Sequence, residues 1–442
     1  MSVGTTDLAT EKTPARTSLH HRRCIIGIML LLMITIGYID RMTLSIAGPV
    51  VAKEFNLAPF TLGLLFSAFF WGYAAMMVPG GWFIDTFGKR ILLPVAVFGW
   101  TVVSVSTAFM SSIGGLFSVR ILLGVGEAPA YPTGNLVIRE WVPLKERGVY
   151  TSLMQTGTLL GPGVATAPAA WIVASYGWRS AFIILSSLGF VWLVGWLLLY
   201  RSPEKARWLT DDERQFIIAT REQPEPAAST GMVRMSIPTL LQHRSMLGIM
   251  AANGAQTYAA YFLLTWLPSY LISARQFDLA HSGNLTSAMY LFATVATILL
   301  GRGADRWLSL SDERAKRGER RLVVAALMIA SIIALTIAPW VANQYLLVLT
   351  IGVALTVIMV SIALTFATLN DLIVDETSAG RTFSLMSFSG QVIGLLAPIV
   401  TGWIVGLGAG FTVVFIVTAV LLAVGTLAAW VLPTRQLQPA TR

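Results

Sequence analysis

The sequence predicts an all-α membrane protein whose twelve transmembrane helices form two six-helix bundles. Of its 442 residues, 55% are hydrophobic and only 12% are charged, and the mean hydropathy is +0.70. A soluble domain carries about 25% charged residues. The apolar residues fall into blocks of about 17–25 residues, which is the length that an α-helix needs to cross the hydrocarbon core of a bilayer.

Twelve such blocks follow one another along the chain. The first six lie near residues 25–50, 60–83, 91–110, 115–138, 149–173 and 179–200. The second six lie near residues 245–272, 282–304, 322–340, 344–370, 382–406 and 411–432. A polar stretch separates the two sets, and its segment Thr210–Thr220 predicts a short surface helix. We therefore expect tails at 1–24 and 433–442, bundles at 25–200 and 245–432, and a linker at 201–244.

The positive charges between the blocks indicate the orientation of the chain. Lys and Arg residues are concentrated in the tails, in the linker and in every second loop. The opposite set of loops holds only Lys53, Arg179 and Arg275. Loops rich in Lys and Arg stay on the cytoplasmic side of a membrane. Both termini are therefore expected in the cytoplasm, and the long first block is expected to be an uncleaved span rather than a signal peptide.

Other classes of protein are disfavoured by what the sequence lacks. The net charge of +9 does not gather into a basic face, which argues against nucleic acid binding. Neither a Gly-x-x-x-x-Gly-Lys-Ser/Thr phosphate loop nor a Gly-x-Ser-x-Gly elbow is present, and Ser186 and Ser187 are interpreted as helix-packing residues. The single cysteine, Cys24, and the four histidines show no metal-ligand spacing. We expect no enzymatic activity, no metal and no cofactor, with the proton gradient as the energy source.

Two of the apolar blocks contain charged residues. Asp40 and Arg41 lie in the first block, and Arg120 and Glu127 lie in the fourth. A charge at mid-bilayer costs roughly 2.5–3.5 kcal/mol on insertion scales, so such residues usually face a bundle interior and mark a substrate or proton path. The alternative is a buried ion pair that only fixes the register of the helices. Two acid–base sets on two helices favour transport of a charged molecule.

The two halves of the chain repeat each other. The segment GWFIDTFGKR at 81–90 follows the second block, and GRGADR at 301–306 follows the eighth. Each segment places a glycine four residues before an aspartate at a predicted cytoplasmic helix end, with basic residues after it. Two six-helix halves of the same orientation form the parallel repeat of one large class of secondary transporters.

These motifs resemble those of the major facilitator superfamily. The paired loop motif, the twelve spans and the duplicated halves carry the resemblance over nearly the whole chain. A narrower set consists of YIDR at 38–41, FFWGY at 69–73, PGGW at 79–82 and the run from Arg120 to Glu127 and Pro129. This set is similar to the anion:cation symporter family, which includes bacterial sugar-acid and aromatic-acid permeases, sialin and the vesicular glutamate transporters.

The resemblance implies roles for the intramembrane charges. By position in the motifs, Asp40 and Glu127 would act in proton coupling, and Arg41 and Arg120 would engage the substrate carboxylate or pair with the acids. We expect Asp40 to pair with Arg120 in the outer half of the bundle. Glu127 is expected near the midplane without a permanent partner, where desolvation would let it carry a proton. Protonation of Asp40 would then release Arg120, and protonation of Glu127 would allow the loaded carrier to reorient.

The remaining site predictions concern residues around these charges. Galactonate-type members carry an amide where this chain has Thr158 and Ser387, and fewer amides weaken the case for a heavily hydroxylated acid. An aromatic cluster in the seventh span is either a packing cluster or a wall that binds a ligand. Arg41 is expected to make the main contact with the substrate. The expected substrate-binding residues are Arg41, Arg120, Tyr38, Tyr73, Thr158, Tyr258, Tyr261, Ser387 and Gln391.

The paired loop motif is expected to form a cytoplasmic gate. Asp85 and Asp305 can hold that side shut through neighbouring basic residues while the site faces outward. The alternative is that both aspartates only cap or solvate a loop. Thr86 stands where an arginine is common in the first motif, which removes one possible ion pair. The expected gating residues are Asp85, Lys89, Arg90, Asp305 and Arg306.

The sequence therefore predicts a secondary active transporter of the bacterial inner membrane. It would couple uptake of a small organic carboxylate to protons, and the substrate would be a sugar acid of the hexonate, hexarate or hexuronate type or an aromatic acid. We expect a monomer that works by alternating access, with the organic anion, protons and lipid as its partners. Two alternatives stay open: an organic-anion exchanger or efflux carrier, and a non-transporting membrane sensor. A sensor usually carries an output domain, and no block is long enough to be one.

Overall fold

The protein is almost entirely helical. The computed structural model describes residues 22–221, 235–309, 320–373, 379–432 and 437. Its first half contains α1 (Cys24–Glu54), α2 (Pro59–Phe87), α3 (Lys89–Ser106), α4 (Ile113–Glu127), α5 (Ala130–Trp141), α6 (Arg147–Tyr176), α7 (Trp178–Ser186) and α8 (Leu188–Leu199). Two short helices follow, α9 (Asp211–Thr220) and α10 (Ile237–Gln242). The second half contains α11 (Arg244–Ser273), α12 (Leu279–Ser309), α13 (Arg320–Ile337), α14 (Gln344–Leu372), α15 (Ala379–Gly394), α16 (Leu396–Gly406) and α17 (Gly410–Val431).

The helices confirm the predicted fold class. Eleven helical stretches of the described chain are long and apolar enough to cross a membrane. The twelfth long helix is α11, whose 30 residues occupy the position of the predicted seventh span. Its buried residues include Asn253, Gln256 and Tyr258, so polar side chains interrupt its apolar sequence. Polar side chains within a span usually face the interior of a bundle, and α11 therefore lines the centre of the molecule.

Three of the twelve spans are each broken into two helices. The fourth span breaks between α4 and α5, the sixth between α7 and α8, and the eleventh between α15 and α16. Pro129 stands at the first break, and a proline has no N–H group to continue the hydrogen bonds of the preceding turn. This break places Glu127 at the end of a helix inside the bundle.

Glycines bring α2 and α4 into direct backbone contact. A Cβ atom on Gly124 would lie 2.0 Å from the carbonyl oxygen of Phe69, and one on Gly72 would lie 2.0 Å from that of Ile121. Neither position can hold a larger residue unless the helices separate. The contact therefore fixes the aromatic segment at 69–73 beside the charged residues of α4.

The two bundles meet on the predicted outer side. There α2 packs on α16, and a Cβ on Gly63 would lie 2.3 Å from the carbonyl oxygen of Pro398. In the same half α6 packs on α12, where a Cβ on Gly283 would lie 2.3 Å from the Cβ of Ala170. Closer to the centre, Ser45 Oγ donates a 2.7 Å hydrogen bond to the main chain of α11. The molecule is therefore closed toward the predicted outside.

The helix that was expected in the linker is present as α9, and it is held against the N-terminal bundle. Glu213 is fully buried, and its carboxylate accepts hydrogen bonds from the backbone N–H groups of residues 22 and 23 at 3.2 and 3.1 Å. The Arg23 guanidinium lies 3.4 Å from Glu213 and 2.9 Å from Glu146. The start of α1 and the linker are therefore tied together. The predicted tails, except Leu437 and the end of the first tail, lie outside the described residues.

The glycine contact at position 63 provides a test of the closed outer side. Gly63→Val would press a side chain against the Pro398 carbonyl and hold α2 away from α16, which shifts the population toward an outward-open state. In a Cys24→Ser background, which contains no other cysteine, Ser45→Cys should then react faster with a membrane-impermeant thiol reagent added from outside. Gly99→Val is the matched control, because a Cβ at that position would meet no atom within 4 Å apart from the adjoining backbone of its own helix. Equal labelling rates with and without Gly63→Val would contradict the conclusion that this contact closes the outer side.

Candidate functional site

An ion pair between α1 and α4 lies at the centre of the candidate site. Arg41 donates from Nη2 and Nε to Glu127 Oε2, at 2.7 and 3.0 Å. The Glu127 side chain is 3% exposed and that of Arg41 is 13% exposed. The second carboxylate oxygen, Oε1, is buried without a hydrogen-bond partner in the described part of the chain. The pair is thus shielded from solvent, and one oxygen remains open to a proton.

The expectation that Glu127 stands without a permanent partner is wrong for this structure. Gly37 and Arg41 are four residues apart and therefore share one face of α1. A Cβ on Gly37 would lie only 3.3 Å from Glu127 Oε2, so the glycine leaves the room in which the carboxylate lies. Arg41 reaches that space from the next turn. The residue expected to bind substrate is therefore the residue that holds the acid.

Aromatic rings enclose the Arg41 guanidinium. Its Cζ atom lies 4.3 Å from the ring centre of Phe69, 4.4 Å from that of Tyr38 and 5.4 Å from that of Tyr73. The negative faces of aromatic rings attract a cation at such distances. These contacts do not depend on the charge of Glu127.

Asp40 bonds to two serines and forms no ion pair with Arg120, so the expected pairing is wrong for this structure. Asp40 is fully buried, and its Oδ1 accepts hydrogen bonds from Ser104 of α3 at 2.8 Å and Ser186 of α7 at 2.6 Å. Consecutive residues of a helix project about 100° apart. Since Arg41 faces α4, the preceding residue is turned toward α3 and α7.

Arg120 has unused hydrogen-bonding capacity. Its side chain is 2% exposed, its Cζ lies 5.2 Å from the ring centre of Phe182, and its Nε and Nη2 make no hydrogen bond within the described ranges. A buried guanidinium with free N–H donors can bind an anionic group that comes within reach. Arg120 lines a small cavity between the bundles together with Arg41, Leu44, Ser45, Phe66, Phe69, Phe70, Leu264 and Thr265.

The second bundle contributes aromatic and polar residues beside this cavity. Tyr261 stacks on Phe70 with ring centroids 4.0 Å apart, and its hydroxyl donates a 2.8 Å hydrogen bond to Gln391 Oε1. Tyr258 is buried, and its hydroxyl has no hydrogen-bond partner among the residues described. The ring stack therefore joins α2 to α11 next to Arg41. Two further predicted substrate-binding residues, Thr158 of α6 and Ser387 of α15, are half-buried.

The predicted gating residues lie at the predicted cytoplasmic helix ends, apart from the ion pair. Asp85 is exposed near the end of α2, and within the described chain it has no ion-pair partner. Lys89 Nζ instead lies 3.4 Å from a carboxylate oxygen of α5. Arg90 and Arg306 are exposed, and the side chain of Asp305 lies outside what the structure describes.

The sequence alone does not identify two serines as residues of the site. Ser186 is assigned by sequence to helix packing, and Ser104 belongs to none of the recognised motifs. In the structure both are fully buried, and their Oγ atoms lie 2.8 Å apart on the same oxygen of Asp40. The available signal is a small polar residue in the middle of a span, which is also typical of plain helix packing. Such a residue therefore points to the site only when it is known to lie next to Asp40 in the folded protein.

The fold and the site together define a membrane transporter, with two helical bundles around buried acids and arginines. The family model for the Major Facilitator Superfamily matches residues 30–394. The chain belongs to this superfamily, whose members are membrane transporters.

Curated relatives agree with the narrower resemblance. The chain is 32% identical to the probable sulfoacetate transporter SauU of Cupriavidus necator, over 92% of this chain and 93% of that protein. It is 29% identical to the D-galactonate transporter of Escherichia coli over 64% and 67% of the two chains. It is 28% identical to the probable galactarate/D-glucarate transporter GarP of Escherichia coli over 87% and 88%. These relatives are consistent with the anion:cation symporter family.

Solved structures share the fold. An inward-facing bacterial homologue of the human lysosomal transporter Spinster aligns over 95% of this chain and 99% of its own, with a TM-score of 0.70 and 17% identity. A D-xylose–proton symporter aligns over 93% and 98%, with a TM-score of 0.69 and 15% identity. Both likenesses show the fold alone.

The buried ion pair predicts a coupled effect on stability. Arg41→Ala leaves Glu127 buried and unpaired, which should lower stability by about 3–5 kcal/mol. Adding Glu127→Gln should recover much of that loss, since the double variant has no unpaired acid at this position. The apparent melting temperature of the purified protein measures both effects.

The control for this prediction is an exposed ion pair. Arg179 and Glu54 lie 2.8 Å apart with side chains 42% and 40% exposed, so Arg179→Ala should cost only about 0–1 kcal/mol. Equal melting temperatures for Arg41→Ala and for Arg41→Ala with Glu127→Gln would mean that the pair does not couple.

Proposed function

We propose that this protein is a secondary active transporter that takes up a small organic carboxylate together with protons. The observation that carries the proposal is a buried Arg41–Glu127 pair beside an Arg120 guanidinium with unused N–H donors. An arginine binds a carboxylate through two parallel hydrogen bonds. The cavity that both arginines line is therefore suited to an organic anion.

The charges of the site supply a reason for proton coupling. Asp40, Arg41, Arg120 and Glu127 lie inside one bundle, and their formal charges cancel when both acids are ionised. An anionic substrate would add an uncompensated negative charge to a region of low dielectric constant, which is costly. One proton on either acid restores neutrality for a monoanion, and two protons do so for a dianion.

Glu127 is the acid whose protonation acts on the substrate contact. Its Oε2 accepts hydrogen bonds from both Nε and Nη2 of Arg41. A neutral carboxylic acid is a weaker partner for a guanidinium than a carboxylate is. Protonation of Glu127 therefore frees Arg41 for the substrate, and loss of the proton favours return of the pair and release of the substrate.

Asp40 is proposed as the second proton site, with a role that differs from the one expected from the sequence. Its carboxylate is held by serines, so its protonation changes the charge of the site without breaking an ion pair. Arg120 is then available to the substrate in either protonation state of Asp40. Substrate binding by Arg120 therefore does not depend on whether Asp40 carries the second proton.

The proposed substrate is a compact organic acid with few hydroxyl groups. Curated relatives are named for sulfoacetate, D-galactonate and galactarate or D-glucarate. Besides its two arginines, the cavity has mainly aromatic and aliphatic walls, with only Ser45 and Thr265 as hydroxyl residues. The oxygen of Gln391 already accepts a hydrogen bond from Tyr261. Few acceptors remain for the hydroxyl groups of a hexarate. We therefore rank a short or aromatic acid above a hexarate.

The proposed location is the bacterial inner membrane, with both termini in the cytoplasm. The Lys and Arg pattern supports this orientation, and the relatives named above are bacterial. With this orientation, the closed outer side belongs to the state that releases substrate inward. We propose that a single chain carries out the cycle.

Transport by the purified protein in proteoliposomes tests the function. Radiolabelled sulfoacetate, benzoate, D-galactonate, D-glucuronate and D-glucarate are compared with an inward proton gradient and with a protonophore. Accumulation of at least one acid that needs the gradient supports the proposal. Exchange of an acid that does not depend on the proton gradient would identify an organic-anion exchanger instead. Absence of transport for every acid would favour a non-transporting membrane sensor.

Substitution of the acids separates coupling from binding. Glu127→Gln mimics the protonated acid, so it should abolish proton-driven accumulation and spare exchange of substrate between the two sides. Asp40→Asn should behave in the same way. Arg41→Lys keeps the charge but loses the fork geometry, and it should weaken binding. Accumulation by Glu127→Gln with an unchanged pH dependence would rule out the scheme.

The cytoplasmic loop motif is proposed to act as the gate. Asp85→Asn removes a charge that can hold the cytoplasmic side shut in the outward-facing state, so it should shift the population inward without loss of affinity. Ser45→Cys in the Cys24→Ser background should then be labelled more slowly from outside. Asp212→Asn changes an exposed acid of α9 and serves as the control. Unchanged labelling with Asp85→Asn would count against a gating role.

A further inference from the structure

We propose that Ser104 and Ser186 are positioning residues for proton binding: their hydroxyls hold one oxygen of Asp40 so that the other oxygen receives the coupled proton. The inference rests on the proposed proton coupling and deepens it. It assigns a role to two uncharged residues outside the four intramembrane charges.

The geometry around Asp40 supports this role. The hydroxyls of Ser104 and Ser186 both lie on Oδ1, at 2.8 and 2.6 Å. All three side chains are fully buried. Oδ2 is also buried, and it has no hydrogen-bond partner in the part of the chain that the structure describes. The two carboxylate oxygens therefore differ: one accepts two hydrogen bonds, and the other is free to bind a proton.

Serines near these two in the sequence behave differently. Ser106 of α3 donates to the carbonyl oxygen of Val103 at 2.7 Å, and Ser187 donates to that of Ile183 at 2.6 Å. A serine in a helix commonly donates its hydroxyl to a carbonyl oxygen of the preceding turn in this way. Ser104 and Ser186 direct their hydroxyls to Asp40 instead. Their contacts therefore join α1, α3 and α7 at one carboxylate.

The uncharged donors have a consequence for the transport cycle. The charges that act on Asp40 belong to Arg41 of its own helix and to Arg120 and Glu127 of α4, and in the described chain none of them bonds to it. The helices α3 and α7 bring hydroxyl groups to the carboxylate. Hydrogen bonds to a carboxylate stabilise its ionised form. Asp40 can therefore release its proton while Arg120 keeps its N–H donors for the substrate.

Infrared titration of the purified full-length protein in lipid tests the inference without a substrate. The C=O stretch of protonated carboxyl groups is followed as the pH is raised, and the part that is lost in Asp40→Asn belongs to Asp40. Ser104→Ala and Ser186→Ala each remove one donor from the carboxylate. Each should move the midpoint of this band to higher pH by roughly one to two pH units. The controls Ser106→Ala and Ser187→Ala should leave the midpoint where it is in the parent protein.

A second pair of variants keeps the test valid if an alanine variant fails to fold. Ser104→Cys and Ser186→Cys keep the size of the side chain but supply a weaker donor, so they should move the midpoint less and in the same direction. A band that is present but does not move in any of the four variants would overturn this inference and leave the proposed function intact. If Asp40→Asn removes no titrating band, the role of Asp40 in coupling fails and this inference fails with it.

Discussion

The balance of charge inside the first bundle is the constraint on which the rest of the structure depends. Two acids and two arginines lie where water cannot solvate them, and their charges sum to zero. Arg41 and Glu127 neutralise each other directly, whereas Asp40 is stabilised by hydroxyl groups and Arg120 by the face of an aromatic ring. Under the proposed function, an anion that enters is matched by a proton. Coupling would then be a property of the charge set rather than of one residue.

The packing of the helices serves this charge set. Gly72 and Gly124 let α2 approach α4 closely enough for the aromatic residues of α2 to enclose Arg41. Gly37 leaves space for the Glu127 carboxylate on the opposite side. The break at Pro129 ends α4 where that carboxylate is needed. Small residues in these spans therefore have a specific purpose, which is to position charges, in addition to the general one of helix packing.

Sequence patterns predict the spans and the four charged residues because length, hydropathy and the cost of burying a charge are properties of single segments. The partners are properties of two or three segments. Whether Asp40 pairs with Arg120 or with Ser104 depends on the rotation of α1 against α3 and α4, and no pattern within one helix encodes that angle. Likewise, Arg41 was predictable as a cation at the site but not as the partner of Glu127, since Gly37 supplies the space only in three dimensions.

The number of protons taken up when the substrate binds tests the central claim most directly. The purified protein is mixed, in weakly buffered solution with a pH-sensitive dye, with the acid that the transport assay identifies. Charge balance predicts uptake of about one proton per bound monoanion, by the linkage between proton and ligand binding. Binding of a monoanion without any uptake of protons, across the pH range in which transport occurs, would contradict the account.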